Sequence, residues 1–144
     1  MNSNCCDPRA AAVALGRWCL GMILLFAGIG KLPDVSSFVQ NGILVPFAKT
    51  WLPKWLLMPY GYALPFVELI LGAWLILGAG RNAALFIAAL LFLSLTFGQV
   101  LLGQPGVVFN NMVYTFFAAG VLFLEPYDGW VCCGRTKEQP SNPS

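Results

Sequence analysis

Residues 15–32 read LGRWCLGMILLFAGIGKL, a run apolar enough for lipid that nevertheless carries Arg17 near one end and Lys31 at the other. At helical spacing one face holds Ala14, Arg17, Gly21, Leu24, Gly28 and Lys31. Charge mixed with small residues marks a helix buried against other helices inside a membrane, because a lone charge at the bilayer centre costs at least about 3 kcal/mol. The remaining faces carry Leu, Ile, Met, Phe and Trp, which suit lipid or bulky packing. Such a helix constrains the rest of the chain, which must supply further spans and an acid to meet the base.

Composition agrees. Of 144 residues, 58% are hydrophobic and 10% charged, against about 25% charged in soluble domains. So little charge cannot cover a water-exposed surface, and the expectation is one all-α, polytopic membrane domain. The net charge of +2 comes without any basic run, which excludes nucleic acid as a partner. Histidine is absent from the sequence. That removes the usual haem ligand and the commonest metal ligand and general base, and with them any Ser-His-Asp or Cys-His mechanism within this chain.

Span length and turn chemistry predict an antiparallel four-transmembrane-helix bundle with spans at 10–32, 60–79, 83–102 and 107–124. Residues 1–9 read as a polar leader without the features of a secretory signal. Pro33 is expected to stop the first span. Ser36 or Ser37 is expected to cap a short helix through Asn41, ended by Gly42. The long connection 33–59 then mixes Lys49, Trp51, Lys54, Trp55 and Tyr60 with apolar residues, the chemistry of a loop lying at the membrane interface. Pro65 predicts a kink in the second span. Gly80-Arg81-Asn82 and 103–106 read as tight turns, and 126–144 as a polar, disordered tail. Four spans put both termini on one side with Arg9, Arg81, Arg135 and Lys137, opposite Lys31, Lys49 and Lys54; this balance favours cytoplasmic termini.

Three clusters carry chemistry. Arg17 lies ~10 Å in from the terminal end of the bundle and Glu68 ~16 Å from the same end, so a snorkelling arginine should reach the acid. Such an intramembrane pair fixes helix register, or lines a polar pocket for a quinone head or a proton path. A second group, Lys31, Gln99, Gln104, Asn110, Asn111 and Tyr114, gathers at the opposite end. It reads either as ordinary helix-end chemistry or as a patch meeting a quinone or lipid headgroup. The third is a thiol cluster, Cys5, Cys6, Cys132 and Cys133. Adjacent Cα atoms ~3.8 Å apart are too close for an unstrained bond, and adjacent cysteines bite a metal poorly. Free thiols therefore rank ahead of a bond between the termini, and that ahead of a metal site. No metal and no catalytic residue is assigned.

The segments GRWCLGMILLFAGIGKL, FVQNGILVPFAKTW and LPFVELILGAWLILGAGRNAAL together cover most of 16–85 and resemble the DoxX/DoxD group of small bacterial four-helix membrane proteins, which includes relatives of MauE. The resemblance implies a four-helix bundle in a bacterial cytoplasmic membrane with links to redox work. Members include a subunit of thiosulfate:quinone oxidoreductase, parts of thiol-stress complexes, and proteins maturing disulfide-rich partners. The expected function is a small accessory subunit of a larger membrane redox or electron-transfer complex, inactive in isolation and binding no cofactor of its own. The alternative is a quinone-contacting subunit of a thiosulfate:quinone-type oxidoreductase.

Overall fold

The computed structural model describes residues 8–124. Four long helices dominate: α1 (Pro8–Lys31), α2 (Lys54–Leu77), α3 (Arg81–Leu101) and α4 (Pro105–Phe123). Each is long and apolar enough to cross a membrane. Cross-contacts fix the antiparallel order. Gly21 faces Gly72 across α1 and α2, Tyr60 meets Ser94 across α2 and α3, Phe92 meets Tyr114 across α3 and α4, and Gly16 faces Val121 across α1 and α4. The start of α1 and the end of α4 therefore share one end of the bundle. All four helices feed a central core that includes Leu20, Leu24, Leu75, Leu85, Phe92 and Val121.

The helix ends follow local chemistry and correct the expected bounds. Pro53 is extended (ψ 141°) and sits as N-cap of α2, so that helix starts at Lys54, six residues earlier than expected, and carries both Pro59 and Pro65 inside it. Both lie beyond the first turn, so the carbonyls of Trp55 and Gly61 each lose their i+4 donor. Gly78 closes α2 in the left-handed region at φ 75°, and Gly80, at φ 59°, is the N-cap of α3. The turn is thus Gly78 to Gly80, with Arg81 already helical, and the Trp74 indole N–H donates to the Ala79 carbonyl to hold it. At the other end Pro105 opens α4 in its first turn, just after the turn at Gly103 (φ 64°).

The connection between the first two spans differs most from expectation. Pro33 does not end helical structure. It sits in a single 3-10 turn, Leu32–Asp34, where a proline in the first turn costs no hydrogen bond. The chain changes direction at Asp34 (φ −146°, ψ 73°), whose carboxylate accepts from the Ser37 backbone N–H at 2.8 Å. Asp34, not Ser36 or Ser37, is the cap. Helical backbone then runs through Gly42, first α (Val35–Ser37), then π (Phe38–Leu44), then α again (Val45–Phe47). Val39, Ile43 and Phe47, four residues apart, are its buried side chains. A β-carbon at Gly61 of α2 would lie 2.8 Å from Ile43 Cδ1 and 3.2 Å from Val39 Cγ2, and one at Gly98 of α3 would lie 3.3 Å from Phe47 Cζ. The segment 32–47 is therefore a packed cap across α2 and α3, with Ile43, Phe47 and Leu57 forming a small core of their own. Trp51 and Trp55, 73% and 75% exposed, stand clear of it.

Candidate functional site

The α1–α2 seam sets the positions of the buried charges among the described residues, Arg17 and Glu68. A β-carbon at Gly72 would fall 2.6 Å from the Leu25 nitrogen and 2.7 Å from the Gly21 carbonyl oxygen, so the two backbones touch. Gly28 makes the same approach to Pro65 and Leu69. Small residues permit this approach, and in lipid it supplies the packing that hydrophobicity does not. The register it imposes puts Glu68 level with about residue 27 of α1, which is roughly 15 Å along the helix from Arg17 and roughly 6 Å from Lys31.

Glu68 pairs with Lys31 rather than with Arg17. The Lys31 ammonium donates to both carboxylate oxygens, 2.6 Å to Oε1 and 2.5 Å to Oε2. Glu68 is 2% exposed and Lys31 23%. The expected Arg17–Glu68 contact fails for a directional reason as well as a distance one. Every Cα–Cβ bond in a helix tilts toward its N-terminus. On α1 this sends Arg17 toward the terminal end, away from Glu68, and sends Lys31 back into the bundle. On the antiparallel α2 it sends Glu68 toward the capped end, where Lys31 is. The two side chains thus converge over a gap that stem length can close.

Arg17, 1% exposed, has other work. Its Nη1 donates to the Leu75 carbonyl at 2.9 Å. Leu75 lies in the last turn of α2, where carbonyls lack intrahelical partners and the helix dipole favours a cation. Arg17 therefore closes the C-terminal end of α2 from the neighbouring helix, packed over Gly78. Lys31 is also the last residue of α1, and its ammonium stands 5.3 Å from the centre of the Phe38 ring.

Beside the ion pair, under the cap, lies a cavity of about 190 Å³ between α2, α3 and the segment 38–47. Its polar lining is Lys31, Tyr60, Ser94 and Gln99; its apolar lining includes Phe38, Phe47, Leu64 and Leu95. The Tyr60 and Ser94 hydroxyls are bonded at 3.0 Å, and Ser94 also donates to the Leu91 carbonyl at 2.8 Å.

Of the patch read from sequence, Lys31 and Gln99 meet at this cavity. Asn110 is exposed and Asn111 half-buried on α4, neither lining it, and Gln104 is the exposed N-cap residue of α4. Tyr114 is set apart in the core against Phe92, ring centres 5.4 Å apart. Cys5, Cys6, Cys132 and Cys133 lie outside the described residues. Cys19 is a free, exposed thiol on α1. Tyr60, Ser94 and Phe38 are additions that the sequence reading missed. The expected spans hid the first two, placing Tyr60 at the end of one span and Ser94 well inside the next; their depths match only because α2 begins at Lys54.

The family model of the methylamine utilisation protein MauE matches residues 9–107 of this chain. The protein belongs to the MauE family. The match runs from the start of α1 into the first turn of α4. It takes in Arg17, Lys31, Tyr60, Glu68, Ser94 and Gln99, while Asn110, Asn111 and Tyr114 fall beyond it. No curated protein and no solved structure matches the chain at a significant level. This MauE-family chain is a multi-pass membrane protein, with four helices that can span a bilayer.

Proposed function

We propose that this MauE-family protein is a small accessory subunit of a larger redox or electron-transfer system in a bacterial cytoplasmic membrane, with its termini on the cytoplasmic side. The observation that carries the reading is the imbalance of the bundle. The spans of α1 and α2 are 44% and 39% buried within the chain, whereas those of α3 and α4 are 22% and 11% buried. Phe86, Phe97, Phe109 and Phe116 are all more than half exposed on that second pair. Such a surface suits the helices of a larger partner as well as it suits lipid. The lack of histidine in the sequence fits a role in which chemistry belongs to the partner.

Purification from native membranes after mild crosslinking tests this. Co-migration with a larger membrane complex, weakened by Phe116→Ala, is the expected result. A chain that migrates alone and is unchanged by Phe116→Ala would contradict it.

A second reading is favoured by the cavity beside Lys31. The protein would contact a quinone directly, as in the thiosulfate:quinone-type oxidoreductases of the DoxX/DoxD group. Quinone reduction by this chain with one small partner supports this reading over the first.

A further inference from the structure

We infer that the cavity under the cap binds a net-neutral, hydrogen-bond-accepting head carried on an apolar tail. The inference deepens the quinone-contact reading by stating what the cavity selects, and it requires no turnover.

Ser94 gives its only hydroxyl hydrogen to the Leu91 carbonyl, so the Tyr60 hydroxyl donates to Ser94 Oγ and both hydrogens are used. Lysine has three N–H donors, and Lys31 aims two at the Glu68 carboxylate. The third remains for the cavity. The Gln99 side-chain amide, with two more N–H donors, makes no hydrogen bond among the described residues. The lining thus holds unused N–H donors on Lys31 and Gln99 in excess of its one free acceptor, the Gln99 carbonyl, and a ligand carbonyl oxygen would meet them.

Charge then selects among acceptors. Glu68 already neutralises Lys31 at hydrogen-bond distance. An anion would have to displace a buried carboxylate or sit beside it, and either costs several kcal/mol, on the order of the penalty for an unpaired buried charge. A net-neutral acceptor meets no such cost. The rest of the wall is aromatic and aliphatic, from Phe38, Phe47 and Leu64, which suits a flat ring or an acyl chain. Tyr60 and Ser94 are exposed at the α2–α3 seam, so the cavity has its mouth on the face that meets lipid. The π-helical stretch Phe38–Leu44 supplies the Phe38, Gly42 and Ile43 walls. Stretches of this kind are rare and frequently occur at functional sites.

A benzoquinone ring and the ester region of a diacyl lipid share this chemistry. Native mass spectrometry of the full-length protein, released from nanodiscs of phosphatidylcholine and phosphatidylglycerol with an added short-chain 1,4-benzoquinone, separates them. One retained molecule per chain is expected, either the quinone or phosphatidylcholine. Gln99→Leu should weaken retention at least tenfold, and Gln104→Leu, which removes an amide outside the cavity, should leave it unchanged. Retention of phosphatidylcholine without quinone keeps this inference and removes the quinone-contact reading. No retained molecule, retention indifferent to Gln99→Leu, or a preference for anionic phosphatidylglycerol would overturn the inference.

Discussion

Helices α1 and α2 form one closely packed pair and α3 and α4 another, but the first is buried and charged in its seam while the second is exposed and apolar. The first pair closes on Gly21, Gly28 and Gly72 and holds both buried charges, Arg17 and Glu68. The second is joined through contacts such as Phe92 on Tyr114, with Ala118 and Val121 the only fully buried side chains of α4. The difference shows where rigidity is placed. A charge can be kept in lipid only where its partner cannot drift, so the polar groups lie along the seam with the least freedom. The more exposed pair is left for lipid or for another protein.

Overfilling the tight seam should have the largest effect. Gly72→Leu drives a side chain into the backbone of α1 and is expected to cost more than about 3 kcal/mol, read as loss of the folded monomer in an unfolding titration in bicelles. A loss below about 1 kcal/mol would mean that the seam has room for a side chain. Gly78→Ala comes next. It forces a β-carbon into the left-handed region and against the Arg17 guanidinium, so a loss of about 2 kcal/mol is expected by the same assay. Phe92→Leu probes the second pair. Its near-conserved volume should limit the loss to about 1 kcal/mol. The smallest effect belongs to Gly120→Ala on α4, where a β-carbon meets nothing within 4 Å. Its stability should stay within about 0.5 kcal/mol of the parent, and a larger loss would show that α4 is packed more closely than the contrast allows.

Much of this was legible in the sequence, and the failures have physical causes. The spans could be read because hydropathy and glycine or proline punctuation report on local chain. Arg17 and Glu68 could be read as interior because a charge in an apolar run has nowhere else to go. The partner of Glu68 could not be read from depth alone. It depends on the Gly21–Gly72 register and on the tilt of Cβ, which makes Lys31 reach inward and Arg17 outward. The cap 32–47 was hidden because Pro33 reads as a stop, while a first-turn proline and the Asp34 carboxylate allow helical backbone to begin again at once. Gln99 and Lys31 line one cavity. Asn110 and Asn111 were grouped with them by depth, but they are on a part of α4 that does not face the cavity.

The pairing of Lys31 with Glu68 decides how charge is held in this bundle, and a double-mutant cycle measures it directly. Lys31→Met, Glu68→Gln and their combination are compared by unfolding in bicelles, alongside the equivalent cycle for Arg17→Met and Glu68→Gln. The predicted result is a coupling of about 2 kcal/mol for Lys31 with Glu68 and less than about 0.5 kcal/mol for Arg17 with Glu68. A larger coupling for Arg17, or none for Lys31, would contradict it.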